Sequence, residues 1–249
     1  MKTSSLDRLR NGLVLLLVLT GLWQVLYWCV GDVALRSPLE TFGYTAYLLG
    51  SARFWPNLVE TAQAFGLALV ISVVMGLAIG FTLGLSRIAN AVFEPVLVSS
   101  YAIPKITLYP ILLLMFGLGM SAKVAFGVIH GVIPIALFTT DAVRHIRPVF
   151  LKTGRTMGLS PLEMAWRILL PAAMPEIFAG LRVGFSLTLI GTLLGEMFAS
   201  QRGIGYLLMN AIGLHNVDLI MSLTFMLTLF AGAASVILLA INRRMQQRT

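Results

Sequence analysis

The chain has 249 residues, is 58% apolar and carries charge at 11% of its residues. A soluble domain is about 45–50% apolar and about 25% charged, so this composition excludes a soluble globular protein. A single cysteine, Cys29, excludes a disulfide-stapled scaffold. The net charge of +8 does not indicate nucleic-acid binding, because the Lys and Arg residues flank apolar runs, where such residues set membrane topology.

Six apolar runs follow one another along the chain, and each has at least the roughly 17 residues that a membrane-spanning helix needs. They cover residues 12–30, 58–85, 96–118, 124–140, 177–199 and 219–241. The first run follows basic residues, as in a signal peptide, but it is too long and has no small-residue cleavage site. We therefore expect an uncleaved anchor and an all-α integral membrane protein with six transmembrane helices.

Six spans place both termini on the same side of the membrane. Most of the Lys and Arg residues fall on that side. The exceptions are Lys105, inside the third run, and the residues on the opposite side, which are Arg36, Arg53, Lys123 and Arg202. The positive-inside rule predicts that both termini and the segment 141–176 are cytoplasmic and that residues 202–218 face outward.

Glycines recur four residues apart within the predicted spans. The sets are Gly76, Gly80 and Gly84; Gly127 and Gly131; Gly180 and Gly184; and Gly191 and Gly195. In lipid, this spacing lets helix backbones approach closely. It predicts close packing within the bundle in preference to a role in dimerisation or gating.

Several kinds of catalytic or binding site are absent from the sequence. There is no Gly-Lys dipeptide and hence no P-loop, no H-E-x-x-H, no paired cysteines and no G-x-S-x-G. His130, His145 and His215 lie in three different predicted segments. We expect no catalytic residue, metal site or cofactor in this chain.

The segment 141–176 is the most organised polar part of the sequence. Helical periodicity continues from the fourth run to about Met157, and Gly158 suits the left-handed position that ends a helix. Ser160-Pro161-Leu162-Glu163 forms a capping box that opens a short helix. We expect that helix to stop near Pro171, and Pro175 to start the fifth span.

The short helix places four apolar residues on one predicted face, namely Leu162, Ala165, Trp166 and Leu169. This stripe fits two interpretations. It packs against the ends of the bundle, or it docks a soluble partner in the manner of a helix in a groove. The residues alone leave the choice open.

Residues 152–171 resemble the loop signature E-A-A-x3-G-x9-I-x-L-P of ABC importer permease subunits. Gly158, Ile168, Leu170 and Pro171 fall at the required offsets, and Leu159-Ser160 is similar to the residues that follow the glycine in that family. The pattern departs at its start, where Lys152-Thr153-Gly154 replaces Glu-Ala-Ala. A contact that needs a negative charge at Lys152 is therefore not expected.

Four further stretches are similar to the nitrate, sulfonate and taurine permeases of this family. They are residues 104–110, 116–119, 195–199 and 203–207. The resemblance implies the type I ABC importer permease fold in a bacterial inner membrane. It also implies three parts: an N-terminal anchor helix with an outer segment at 1–55, a permease core of five spans at 56–243, and a cytoplasmic tail at 244–249.

The same resemblance implies a transport subunit and no enzyme. Two copies would form the path, an external solute-binding protein would deliver the solute, and a separate ATPase would bind ATP. The ATPase-docking residues would be Lys152, Arg155, Gly158, Leu159, Ser160, Glu163, Trp166, Ile168, Leu170 and Pro171. The path candidates are Pro104, Lys105 and Glu196. The solute class includes sulfonates, nitrate and vitamin or pyrimidine precursors.

Lys105 has two interpretations, because a basic residue deep in a span usually faces a bundle interior or an aqueous path. It snorkels or pairs with an acid such as Glu94 or Glu196, or it lines the path and favours an anionic solute. The rival function is a self-sufficient channel or secondary transporter, which often carries more ionisable residues in its spans. A membrane-embedded enzyme is a third class, disfavoured by the absence of a nucleophile–base pair.

Overall fold

The structure is a computed structural model that describes residues 5–146 and 148–246. Every regular element in these two ranges is helical, which confirms the all-α prediction. The α-helices are α1 Ser5–Val30, α2 Pro38–Gly50, α3 Phe54–Leu85, α4 Arg87–Ala102, α5 Tyr109–Phe116, α6 Met120–Arg144, α7 Pro148–Thr156, α8 Pro161–Met164, α9 Leu170–Ala199, α10 Ile204–Gly213 and α11 Val217–Gln246. A 3-10 turn covers Lys105–Leu108, and a π-helical turn covers Ala165–Leu169.

Five of the described helices are long and apolar enough to cross a membrane, namely α1, α3, α6, α9 and α11. The third apolar run forms two shorter helical pieces, α4 and Lys105–Phe116, which are bent by 92° at their junction and make a sixth candidate span when they are counted as one. The third apolar run, 96–118, is therefore not one continuous helix. The physical reason for the break is Pro104, which has no amide hydrogen to continue the helix that ends at Ala102.

The chain divides into two compact units. The first groups α1 and α2 with Leu207–Leu229, and the second covers Pro56–Tyr206 and resumes at Phe230. In the first unit, Arg36 Nε lies 2.6 Å from Asp218 Oδ1, and the Trp23 ring packs against Phe42 and Phe225. The division into parts at residues 55 and 243 stays a prediction.

The core of the second unit is the close packing of α3, α6 and α9. A Cβ added at Gly76, Gly80 or Gly84 of α3 would lie 2.7 Å from a side-chain carbon on α6. The α6 residues contacted are Ile135, Thr139 and Val143, respectively. The paired glycines of α6 and α9 likewise face neighbouring helices, at Gly127, Gly131, Gly180, Gly184, Gly191 and Gly195. The predicted glycine packing is confirmed.

Gly80→Ala should destabilise the bundle, because the new methyl group would lie 2.7 Å from Thr139 Cγ2 and 2.9 Å from the Ala136 carbonyl oxygen. Such overpacking costs about 1–3 kcal/mol. Gly66→Ala on the same helix is the matched control, since nothing lies within 4 Å of its added Cβ. Thermal unfolding in detergent should show a lower melting temperature for Gly80→Ala only. Equal melting temperatures would contradict the packing.

The predicted orientation can be tested by cysteine labelling in a Cys29→Ser background. Ser160→Cys should react with an impermeant thiol reagent only after the cells are permeabilised. Leu214→Cys, at a position 71% exposed in the predicted outer segment, should react in intact cells. Reaction of Ser160→Cys in intact cells would reverse the topology.

The helix that leads from the fourth span into the cytoplasmic segment is shorter than predicted. Helix α6 ends at Arg144, and α7 begins separately at Pro148. The expected continuous helix to Met157 is therefore wrong. Proline has no amide hydrogen and disfavours helical geometry in the residue before it, so it is suited to the first position of a new helix.

Candidate functional site

The predicted cytoplasmic segment contains a helix–turn–helix built around Gly158. Gly158 has φ of +69°, and the Leu159 amide donates to the Gly154 carbonyl oxygen at 3.1 Å. This bond, with a left-handed glycine just past the last helical turn, is the Schellman motif that ends a helix. The predicted role of Gly158 in ending α7 is confirmed.

A capping box opens the next helix, as predicted. The Ser160 Oγ accepts from the Glu163 amide at 3.3 Å, and Glu163 Oε2 accepts from the Ser160 amide at 3.1 Å. The amide and the hydroxyl of Ser160 both donate to the Glu163 carboxylate and, with nearby Arg167, hold the pKa of Glu163 below its ordinary value. Glu163 therefore stays ionised at cytoplasmic pH, and the cap is retained there.

Ser160→Ala should weaken the capped helix mildly. It removes the hydroxyl that accepts from the Glu163 amide, and loss of an N-cap costs about 1 kcal/mol. We expect uptake to fall less than fivefold, or roughly 1 kcal/mol, at normal expression of the protein in the membrane. Complete loss of uptake at normal expression would show that Ser160 does more than cap the helix.

Gly154 is a position of close helix packing that sequence analysis did not predict. A Cβ there would lie 2.6 Å from Met164 Cε and 2.7 Å from Ile168 Cδ1, so α7 packs closely on the following helix. The sequence feature that could have indicated this packing is a glycine at a position where the family signature has alanine. Lys152, at the signature's acidic position, is exposed. The side chain of Arg155 lies outside the described residues.

The predicted break at Pro171 does not occur, and this expectation is wrong. The helix continues through the π-helical turn Ala165–Leu169 into α9, so Pro171 lies in the first turn of α9 and Pro175 inside it. A proline ring clashes with the carbonyl four residues earlier in an α-helix. The wider π-helical turn just before Pro171 relieves that clash, because its bonds run five residues back.

The π-helical turn also divides the predicted apolar stripe. Trp166 is 66% exposed, whereas Leu169 packs on the buried cluster of Ala142, Ile146, Ala173 and Ile177. The side chains of Leu162 and Ala165 lie outside the described residues. The other docking candidates are half-buried at Leu159, Ile168 and Leu170 and exposed at Pro171. One stripe residue therefore packs on the bundle, as the first interpretation expects, while Trp166 is exposed, and docking of a partner stays a prediction.

The broken third span places Lys105 beside a freed backbone carbonyl. In a continuous helix the Tyr101 carbonyl would accept from the amide of residue 105. Here the Lys105 ammonium donates to that oxygen at 3.2 Å and lies 5.2 Å from the centroid of the Tyr101 ring. Pro104 accepts from the Thr107 amide at 3.0 Å and starts the 3-10 turn.

The alternative in which Lys105 pairs with an acid is not observed. No carboxylate in the described part of the chain lies within 4.0 Å of Lys105 Nζ. Glu94 instead accepts from the Asn90 amide group, and Glu196 bonds other residues. Of the three path candidates, Pro104 and Lys105 lie together at the break in the third span.

Glu196 belongs to a separate buried cluster at the predicted outer end of the second unit. Its Oε2 accepts from the Thr61 hydroxyl at 2.8 Å and from the Gly205 amide at 2.9 Å. Lys123 Nζ lies 2.9 Å from Glu60 Oε1 and 3.9 Å from Glu196 Oε1. The sequence analysis did not predict that Lys123 and Glu60 belong to this cluster. The feature that could have indicated it is the presence of basic and acidic residues at the ends of three spans.

This cluster also fixes the turn between α9 and α10. Gly203 has φ of +123°, and the amides of residues 203, 204 and 205 are consecutive donors. They donate to Asn57 Oδ1, Thr61 Oγ1 and Glu196 Oε2 at 2.9, 2.8 and 2.9 Å. Side chains from α3 and α9 therefore satisfy the amides at the start of α10, where a carboxylate also favours the helix dipole.

Comparison with known proteins identifies the family. Residues 68–249 match the family described as "Binding-protein-dependent transport system inner membrane component". A probable ABC transporter permease protein of Haemophilus influenzae is 33% identical over 85% of this chain and 86% of its own. The formylaminopyrimidine transport permease of Halalkalibacterium halodurans is 30% identical over 76% of each chain, and the taurine permease of Escherichia coli is 24% identical over 92% and 86%.

The fold is also that of solved permeases. A chain of the methionine ABC transporter MetNI, in an inward facing conformation, superimposes with a TM-score of 0.66 at 18% identity, over 80% of this chain and 96% of that one. The helical architecture, the apolar spans and these matches agree. The chain belongs to the binding-protein-dependent transport family and is a multi-pass inner-membrane permease subunit of an ABC importer, with the type I fold.

Proposed function

We propose that this permease takes up its solute at the cost of ATP hydrolysed by a separate subunit, which docks on the cytoplasmic helix–turn–helix. The observation that carries the proposal is the exposed apolar surface of that segment. Its members are Val149, Phe150, Met157 and Trp166, which are 58%, 42%, 67% and 66% exposed. Exposed large apolar side chains on a polar, cytoplasmic loop favour a protein partner.

The proposed transporter divides ATP binding and solute transport between separate subunits. Because the chain has no P-loop, the partner binds the ATP, and this chain binds no cofactor. A solute-binding protein delivers the solute to the outer face. A second copy of this chain completes the path by covering the exposed side of α5, where Leu114 is 89% and Met115 is 69% exposed.

We further propose that the solute is small and anionic. An ammonium at the break of a span, beside a 3-10 turn, offers a positive charge where the path would pass. Taurine, aliphatic sulfonates and nitrate, the named solutes of several relatives, each carry an anionic group that fits that charge, whereas the formylaminopyrimidine of another relative does not. Lys105 and Pro104 are the proposed path residues, whereas Glu196 is proposed to act in the buried cluster.

The docking proposal is tested by co-purifying the ATPase with the tagged permease. Trp166→Ser should lower the recovered ATPase at least about tenfold, because large exposed aromatics dominate such interfaces. Trp28→Ser is the matched control, since Trp28 is 72% exposed at the end of α1 near the predicted outer face. Recovery of no ATPase with the parent, or uptake without ATPase, would favour the rival secondary transporter.

A further inference from the structure

Lys123 lies between two carboxylates and bonds one of them. Its Nζ is 2.9 Å from Glu60 Oε1 but 3.9 Å from Glu196 Oε1. The side chains of Lys123 and Glu196 are fully buried, whereas that of Glu60 is 25% exposed. One buried ammonium is thus available to two acids, and only the nearer acid is hydrogen-bonded to it.

The hydrogen-bonding capacity of this cluster is not used up. An ammonium has three N–H donors, and Lys123 directs two of them to Glu60 and to the Arg202 carbonyl oxygen at 3.2 Å. Glu196 Oε1 has no hydrogen-bond partner among the described residues. A buried carboxylate oxygen without a bond is unfavourable, and a shift of Nζ by about 1 Å would supply one.

Glu60 and Glu196 each have other polar surroundings that stabilise the carboxylate when Lys123 pairs with the other acid. Glu60 lines a cavity of about 350 Å³ together with Leu118, Gly119, Ser200, Gln201 and Arg202, so its carboxylate reaches solvent. Glu196 retains the bonds from Thr61 and from the Gly205 amide. Pairing of Lys123 with either acid therefore leaves the other acid with polar contacts.

The two acids belong to different rigid elements. Glu60 lies near the start of α3 and Glu196 near the end of α9, while Lys123 lies near the start of α6. Asn57 and Thr61 lie on the same turns of α3 as Glu60, and their side chains accept hydrogen bonds from the amides of residues 203 and 204. A displacement of α3 relative to α9 would therefore change the lysine's partner and the attachment of this turn together.

We propose that Lys123 is a two-position switch, which pairs with Glu60 in one state of the transport cycle and with Glu196 Oε1 in the other. The inference rests on the proposed ATP-driven import, because alternating access supplies the helix displacement. Lys123, Glu60 and Glu196 are then positioning residues for the outer end of the bundle and do not contact the solute.

The test uses the complete transporter, with its ATPase and binding protein, in a Cys29→Ser background. Leu118→Cys places a thiol in the cavity beside Glu60, and its reaction rate with an impermeant maleimide reports the arrangement there. Glu60→Gln should favour pairing with Glu196, and Glu196→Gln should favour pairing with Glu60. We expect the two variants to shift the rate in opposite directions, each by about threefold or more.

Controls separate this switch from a purely structural role. Glu176→Gln, on the exposed cytoplasmic end of α9, should leave the rate unchanged. Glu60→Asp, which keeps the charge but shortens the side chain, should shift the rate in the same direction as Glu60→Gln. The switch would be overturned if both glutamine variants shift the reaction rate in the same direction or leave it unchanged. It would also be overturned if Glu60→Asp shifts the rate in the direction opposite to Glu60→Gln. Absence of ATP hydrolysis by the parent would instead contradict the proposed function.

Discussion

Gly158→Val is expected to abolish ATP-driven uptake while the permease still inserts in the membrane. Gly158 has φ of +69°, a conformation that costs a residue with a Cβ about 1–2 kcal/mol and is least suited to β-branched valine. Relief of that strain would break the bond from the Leu159 amide to Gly154. The capped helix and Trp166 would then point away from the ATPase.

The measurement compares uptake, membrane expression and stimulation of ATP hydrolysis for the variant and the parent. Gly154→Ala is the matched loop control, because its new methyl group meets only the flexible ends of Met164 and Ile168. We expect that control to retain most uptake. Normal uptake by Gly158→Val at normal expression would contradict the docking proposal.

Lys105→Met should remove transport of an anionic solute while leaving assembly and basal ATP hydrolysis in place. Methionine keeps the length of the side chain but removes the charge and the bond to the Tyr101 carbonyl. A hydrogen bond between the Lys105 ammonium and an anionic solute would be worth about 1.5–3 kcal/mol. Its loss should therefore lower uptake roughly 10- to 150-fold.

Lys105→Arg separates the charge from the shape of the side chain. Arginine keeps the positive charge and can donate to the same carbonyl, so we expect it to retain part of the uptake. Uptake is measured with labelled taurine and nitrate, at equal amounts of assembled transporter. Unchanged uptake by Lys105→Met would make Lys105 a structural residue and remove the argument for an anionic solute.

The local rules in the sequence predicted the parts of the structure that depend on neighbours along the chain. The glycine spacing of α3 predicted close packing within the bundle, and Gly158 and Ser160 were assigned their turn and cap correctly. In each case the deciding interaction spans a few residues or repeats along one face of a helix.

The differences arose where two local preferences compete or where distant residues meet. At Pro104 the third apolar run bends by 92°, and the Lys105 side chain bonds the Tyr101 carbonyl that the break leaves free. Pro171 predicted a break, yet a π-helical turn accommodates the ring. Lys123 resembled an ordinary topology determinant, because its partners Glu60 and Glu196 lie on other helices.

ATP-driven import is tested by solute entry into proteoliposomes that contain the permease, its ATPase and its binding protein. With labelled taurine or nitrate outside, we predict entry that requires ATP on the side of the ATPase and continues when a protonophore collapses the proton gradient. Trp166→Ser should reduce this entry. Entry by the permease alone, driven by an ion gradient without ATP, would contradict the account.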